Sequence, residues 1–172
     1  IPEKVWQMQF FPSDSILGFD QSGPILRQWG FKVEWTNKIL INARSETLTN
    51  KQTFEPFLGS RCIVPATAYF EWCKAGKYKG KYKIFLKDYD LFAFAGVTDG
   101  ENIVILTRGT IPPITQIHHR MPVILLPHIE NSWLDQLYPI DQALETVKRQ
   151  QNLPIDFKTE SISHPTQGDF FH

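Results

Sequence analysis

Short apolar runs, rich in β-branched and aromatic residues, alternate with polar stretches along most of the chain. They are LRQWGF (26–31), KILIN (38–42), RCIVP (61–65), KYKIFLK (81–87), LFAFAGV (91–97), NIVILT (102–107) and MPVILL (121–126). Runs of this length and composition predict strands. Asp99-Gly100, between the fifth and sixth runs, tolerates the positive φ values of a tight turn and predicts an antiparallel hairpin. Helical periodicity enters only late, in IENSWLDQL (129–137) behind Pro127 and in QALETVKRQ (142–150) behind a candidate Asp141 cap. Thr49 and Gln52, at capping-box spacing, predict a shorter helix near residues 50–58. No repeat, low-complexity tract or linker composition divides the sequence. The expectation is one α+β domain over residues 1–172, with a bent, barrel-like, mostly antiparallel sheet flanked by a few helices.

Composition narrows the classes. A length of 172 residues suits a single domain with a substantial core. With 42% hydrophobic and 21% charged residues, and no apolar stretch of bilayer-crossing length, a soluble protein is expected, cytoplasmic and, if bacterial, nucleoid-associated. A monomer is expected. The sequence starts at Ile1 without an initiator Met or a basic-then-apolar leader, so the native N-terminal segment is expected to be missing. Lys plus Arg and Asp plus Glu both number 18, so any attraction for a polyanion must come from a local patch. Cys62 and Cys73 sit in apolar, strand-like contexts and predict buried thiols rather than a disulfide scaffold. Neither has CxxC or Cys/His spacing, so no metal and no cofactor are expected.

Four polar clusters interrupt the pattern. In NARSET (42–47), Asn42, Arg44 and Glu46 alternate and would share one face of a strand, either as a solvated strand end or as a site. In YFEWC (69–73), Glu71 stands among aromatics and a cysteine. Desolvation there would suit it to general acid or base work, whereas alternation would equally let it face water. In QIHHRMPVIL (116–125), two histidines and an arginine precede an apolar run that would fix their geometry, with His118 the proton-handling candidate and His119 a bystander. KAGKYKGKYK (74–83) interleaves lysine with tyrosine, which fits a solvated hairpin tip better than a binding element for single strands. Trp35, in EWTN, is either exposed or core. Asn42, Arg44, Glu71 and His118 together supply an amide, a fixed cation, an acid and a base, without an obvious nucleophile.

NARSET, RCIVPATAYFEW, FAFAGV and IHHRMPVIL, in this order and at these separations, resemble the SOS response-associated peptidase family, whose members shield abasic sites in single-stranded DNA. The resemblance runs from about Pro12 to Leu126. It implies an N-terminal cysteine, exposed by autoproteolytic removal of the initiator Met. The amine and thiol of that cysteine condense with the ring-opened aldehyde of an abasic site to give a thiazolidine-type DNA–protein crosslink. On the same ground Glu71 would assist Met removal and proton transfers at the amine, and His118 would promote sugar ring opening. Asn42 and Arg44 would hold the abasic sugar and its flanking phosphates, Arg120 would add a phosphate contact, and Trp35 would stack on a base. Pro12, in FFPSD, resembles the proline of the family's Asn-x-Ala-Pro segment.

The sequence departs from the family pattern in three places. The Cys-Gly-Arg start is absent, and only 11 residues precede Pro12. Tyr69-Phe70-Glu71-Trp72 replaces Phe-Tyr-Glu-Trp, and Thr107-Arg108-Gly109-Thr110 replaces Thr-x-x-Ala-Asn. The expected partner is single-stranded DNA containing abasic sites. Two other readings compete: a non-covalent single-stranded nucleic-acid binding module using Arg44, Arg120, Trp35 and the lysine hairpin, and a Cys/His hydrolase pairing Cys73 or Cys62 with His118.

Overall fold

The computed structural model describes residues 9–33, 36–74 and 76–160. Its strands are β1 (Ser15–Asp20), β2 (Gly23–Trp29), β3 (Phe31–Val33), β4 (Thr36–Leu40), β5 (Asn42–Arg44), β6 (Arg61–Ala66), β7 (Tyr69–Cys73), β8 (Gly80–Leu86), β9 (Phe92–Thr98), β10 (Asn102–Gly109), β11 (Arg120–Pro122), β12 (Ile124–Leu125) and β13 (Ile155–Thr159). The helices are α1 (Pro127–Leu134) and α2 (Ile140–Arg149).

The unbroken apolar runs have a simple cause: those strands bury both faces. Along β9, Phe92 and Phe94 enter one hydrophobic cluster while Ala93, Ala95 and Val97 enter the other. β10 divides likewise, with Ile103 and Ile105 on one side and Val104 and Leu106 on the other. Period-2 alternation therefore persists, but both destinations are apolar. The second cluster is closed by α1 and α2 through Trp133, Ala143 and Val147. Gly96 sits where β9 and β10 meet closely: a Cβ there would lie 3.0 Å from the Val104 carbonyl and 3.1 Å from Cys62 Sγ.

Strand pairing runs β10–β2–β1–β6–β9 and returns from β9 to β10, so five strands form a ring of pairings. β2 and β5 run parallel to β10, and the other pairs in this sheet are antiparallel. The expected hairpin is β9–β10, with Ile103 opposite Thr98 and Gly100 at φ +97°. Asp99 Oδ1 accepts from the Glu101 and Asn102 amides across the turn. A second sheet, β13–β8–β7, leaves β7 at its edge. β13 carries too little apolar periodicity to be predicted from sequence, and it becomes a strand by pairing along β8 from Ile155–Leu86 to Thr159–Tyr82.

Three local expectations need correction. Residues 50–58 form no α-helix: two 3-10 turns, Ser45–Asn50 and Glu55–Phe57, flank an extended Lys51. Thr47, Thr49 and Thr53 disfavour helix through β-branching, and Pro56 has no amide to continue one. Asp141 does not cap α2; Pro139 precedes the helix and Asp141 lies in its first turn, where its charge still complements the helix dipole. Glu46 leaves the strand face of Asn42 and Arg44, because β5 ends at Arg44 and Glu46 enters the 3-10 turn.

Two buried arginines tie the helices to the ring. Arg61 on β6 donates to the carbonyls of Asp135 and Tyr138 beyond α1, and its guanidinium stacks over Trp133 at 5.8 Å. Arg108 on β10 donates to the carbonyls of Val147 and Gln150, each at 2.9 Å, and of Lys148 at 3.3 Å. It thereby satisfies the orphan acceptors at the end of α2. Burial lowers both guanidinium pKa values, with the cost offset by these acceptors.

Candidate active site

The C-terminal half of β10 gathers the polar clusters. β5 pairs beside it with Arg44 opposite Thr107, and β11 pairs with Arg120 opposite Gly109. NAR and HRM, 75 residues apart in sequence by the spacing of Arg44 and His119, thus reach one strand end from two neighbouring strands. Ala43, the residue between Asn42 and Arg44, is buried, while the two polar neighbours are exposed. Alternation is the cause: anchoring Ala43 in the core turns Asn42 and Arg44 outward together.

His118 leaves the 3-10 turn Ile114–Gln116, with its amide donating to the Ile114 carbonyl at 3.1 Å. Its Nδ1 lies 3.0 Å from the Arg120 carbonyl, 3.2 Å from the Arg120 amide and 3.6 Å from Glu71 Oε2. Both side chains are partly covered, at 32% and 25% exposure, so the pair is reachable without being fully solvated. All of these contacts fall on Nδ1. Among the described residues no hydrogen bond or ion pair falls on Nε2. Glu71 belongs to the edge strand β7, where its Oε1 accepts from the Trp72 amide at 3.0 Å. The carboxylate is therefore held at the strand edge with Oε2 turned to the imidazole. His119 stacks against the His118 ring at 4.4 Å and is itself exposed.

Arg120 fixes this arrangement from behind. Its guanidinium grips Glu46 through Nη1–Oε1 at 2.6 Å and Nη2–Oε2 at 2.9 Å, a bidentate fork on a carboxylate. Nη2 also donates to Thr107 Oγ1 at 3.1 Å, and Glu46 Oε1 accepts from the Gly109 amide at 3.2 Å. The Arg120 fork holds the Glu46 carboxyl far below its ordinary range, at about 2. Since the Arg120 backbone is also what binds His118 Nδ1, one residue links the ion pair to the imidazole.

The structure brings together Glu71, His118 and Arg120 in contact, with Asn42 and Arg44 on the adjoining strand. Arg120, expected as a phosphate contact, has both terminal nitrogens on Glu46, and its buried Nε has no partner among the described residues. Arg44 is exposed and unpaired among the described residues. Pro12 lies in an exposed turn that bonds elsewhere: the Asp14 amide donates to Phe11 and the Ser13 amide to Trp29. Trp35 lies outside the described residues. Cys62 is buried and free, and burial pushes its thiol up to about 12, which removes the thiolate a Cys/His hydrolase needs. Cys73 is also buried and forms no disulfide, its thiol lying 4.0 Å from the Gln116 carbonyl. Among the described residues no group of three or more His, Cys, Asp or Glu is spaced to hold a metal ion, and no helix is long and apolar enough to cross a membrane.

Sequence reasoning gave no role to Glu46, Thr107 or Trp72. The Glu46–Arg120 pair spans 74 residues and has no local signature. Trp72, 50% exposed beside Glu71, was hidden by strand alternation that allowed either face. An apolar cavity of about 410 Å³ opens at the start of β7 between Tyr69, Phe70, Trp29 and Val64, and neither Glu71 nor His118 lines it.

The carboxylate on the edge strand β7 and the imidazole that precedes β11 thus meet where the small sheet lies beside the strand ring. The family described as SOS response associated peptidase (SRAP) matches residues 20–164, and this chain belongs to that family. Among its relatives, the abasic site processing protein YoqW of Bacillus subtilis (strain 168) is 38% identical over 144 residues, covering 72% of this chain and 64% of the relative. The abasic site processing protein YedK of Escherichia coli (strain K12) is 28% identical over 149 residues, covering 78% of this chain and 67% of that protein. A crystal structure of a Bacteroides thetaiotaomicron protein superposes with a TM-score of 0.74 at 27% identity, covering 87% of this chain and 75% of that one. The chain thus spans slightly less than two thirds of the length of the YoqW relative.

Proposed function

We propose that this chain processes abasic sites in single-stranded DNA through a covalent crosslink, with Glu71 and His118 as its proton-transfer pair. The observation that carries the reading is the 3.6 Å approach of His118 Nδ1 to Glu71 Oε2, with no hydrogen bond or ion pair on Nε2 among the described residues. The relatives named abasic site processing proteins supply the substrate class. The nucleophile is an N-terminal cysteine, which this sequence does not contain, and its Met is removed autoproteolytically with Glu71 taking part.

The chemistry follows the ordinary course of an aminothiol meeting an aldehyde. His118 Nε2 assists opening of the sugar ring by moving a proton at the ring oxygen. The cysteine amine adds to the aldehyde carbon, and Glu71 accepts its proton. Loss of water leaves an iminium, to which the thiol adds to close a thiazolidine; one water is released overall. Asn42 and Arg44 hold the sugar and its flanking phosphates, where a guanidinium fork matches phosphate geometry. Arg120 acts here mainly by positioning His118. Trp72 offers an exposed ring on which a base can stack.

The test is direct. Protein with its native N-terminus, mixed with abasic single-stranded DNA and run on a denaturing gel, gives a shifted band that disappears when the N-terminal cysteine is replaced. If the protein binds this DNA but no shifted band forms, the covalent reading is wrong and the non-covalent module takes its place.

A further inference from the structure

We infer that the outward face of the β7–β8–β13 sheet is a docking surface for the single strand flanking the site, a proposal that rests on the function proposed above. Burial of Tyr69, Cys73, Tyr82, Ile84 and Ile155 fixes the inward face of this sheet. Period 2 then turns Phe70, Trp72, Lys81, Lys83 and Lys158 outward. The register lays them in rows, with Phe70 opposite Lys83 and Lys83 opposite Lys158, then Trp72 opposite Lys81.

Three observations point to a polyanion with aromatic bases. Lys83 and Lys158 stand directly opposite each other, a like-charge pairing that disfavours the fold unless something neutralises it. Among the described residues no ion pair is formed by Lys81, Lys83 or Lys158; of the acids beside them on this face, Asp156 is paired with Lys87 at 3.3 Å, and Glu160, whose amide donates to the Lys81 carbonyl at 2.9 Å, is outnumbered by the three lysines. Lys74, Lys77 and Lys79 extend the same charge into the hairpin tip, so a chain with zero net charge concentrates cations here.

The aromatic component is equally placed. Trp72 is half exposed, and Lys81 Nζ sits 4.4 Å over the Phe70 ring, which leaves a cation beside two faces on which bases can stack. Lys81 and Lys83 are two residues apart on one strand, about 6.8 Å, so they present charges in a line. β7 is the edge strand of this sheet, so Glu71, turned to the opposite side from Phe70 and Trp72, is one strand edge away from the lysine rows. A strand whose abasic position meets Glu71 and His118 therefore passes around the β7 edge and over Trp72 onto the lysine rows.

The experiment uses full-length protein and compares oligonucleotides of about 5 and about 20 nucleotides, each carrying a tetrahydrofuran abasic-site analogue that has no aldehyde to crosslink, by fluorescence anisotropy across a salt series. Wild type binds the longer strand at least tenfold more tightly. The Lys81→Ala, Lys83→Ala, Lys158→Ala triple variant loses most of that advantage, and its dependence of log K on log salt flattens by about 2, the release of three phosphate contacts from a single strand. A control triple variant, Lys51→Ala, Lys148→Ala, Arg149→Ala, removes the same charge elsewhere and keeps the advantage. Equal losses in the two triple variants, or wild-type affinity independent of strand length, overturn the docking surface while leaving the site reading intact. Failure of wild type to bind either strand overturns both.

Discussion

Replacing Glu46 by alanine strands a guanidinium that is only 19% exposed and whose Nε already lacks a partner among the described residues. Three hydrogen bonds are lost, two from Arg120 at 2.6 and 2.9 Å and one from the Gly109 amide at 3.2 Å. Buried, the two charged bonds would each contribute about 1.5–3 kcal/mol. Glu46 is half exposed, and solvent screening reduces them to about 2 kcal/mol in total. For a domain of this size that corresponds to a Tm lower by about 4–8 °C. Urea denaturation of wild type, Glu46→Ala, Arg120→Ala and the double variant should give a coupling of about 1–2 kcal/mol at neutral pH. The coupling also has a pH signature. Arg120 lowers the Glu46 pKa from 4.5 to about 2, so the stabilisation is fully present above 4.5 and is lost as pH falls toward 2. A coupling below about 0.3 kcal/mol at neutral pH, within the range of independent sites, would refute the clamp.

Arg108→Met removes a donor from three carbonyls at the end of α2, of which, among the described residues, Val147 and Lys148 keep a second donor and Gln150 does not, and should destabilise by about 2 kcal/mol, measured by thermal unfolding; a change under about 0.5 kcal/mol would mean the Arg108 bonds hold nothing in place. Gly30→Ala drives a Cβ into Ile39 Cγ2 at φ +120°, with an expected cost of about 2–4 kcal/mol. In denaturant melts a neutral effect there would show that β3 and β4 can shift apart. Arg44→Ala should weaken abasic single-strand binding and flatten its log K–log salt slope by about 0.7, one phosphate contact; an unchanged slope would remove Arg44 from the DNA path.

Much of the architecture was legible where the chain itself carries the constraint. Asp99-Gly100 specified its hairpin, and the apolar runs specified strands. The runs could not say that both faces would be buried, because alternation is invisible in the sequence when Ala93 and Phe94, on opposite faces, each enter an apolar cluster. β13 was illegible for the opposite reason: Lys158 and Thr159 look like loop residues until β8 supplies hydrogen bonds. The pairing of Glu71 with His118 rested on resemblance, since nothing local relates residues 47 positions apart. Glu46 was misplaced because strand alternation was extended past Arg44, where the backbone turns. The Arg120 side chain shows the same limit: sequence identified a cation, but only the fold reveals that a carboxylate already occupies its fork.

The central claim is that Glu71 and His118 act as one unit on the abasic sugar. Single-turnover crosslinking rates on abasic single-stranded DNA, measured for full-length wild type, Glu71→Gln, His118→Ala and the double variant, each with its N-terminal cysteine first exposed by an added methionine aminopeptidase, test it most directly. The account predicts that each single substitution slows crosslinking by about 100-fold or more, and that the double variant is about as slow as the slower single. A wild-type rate in either single variant, or losses that multiply fully in the double, would contradict it.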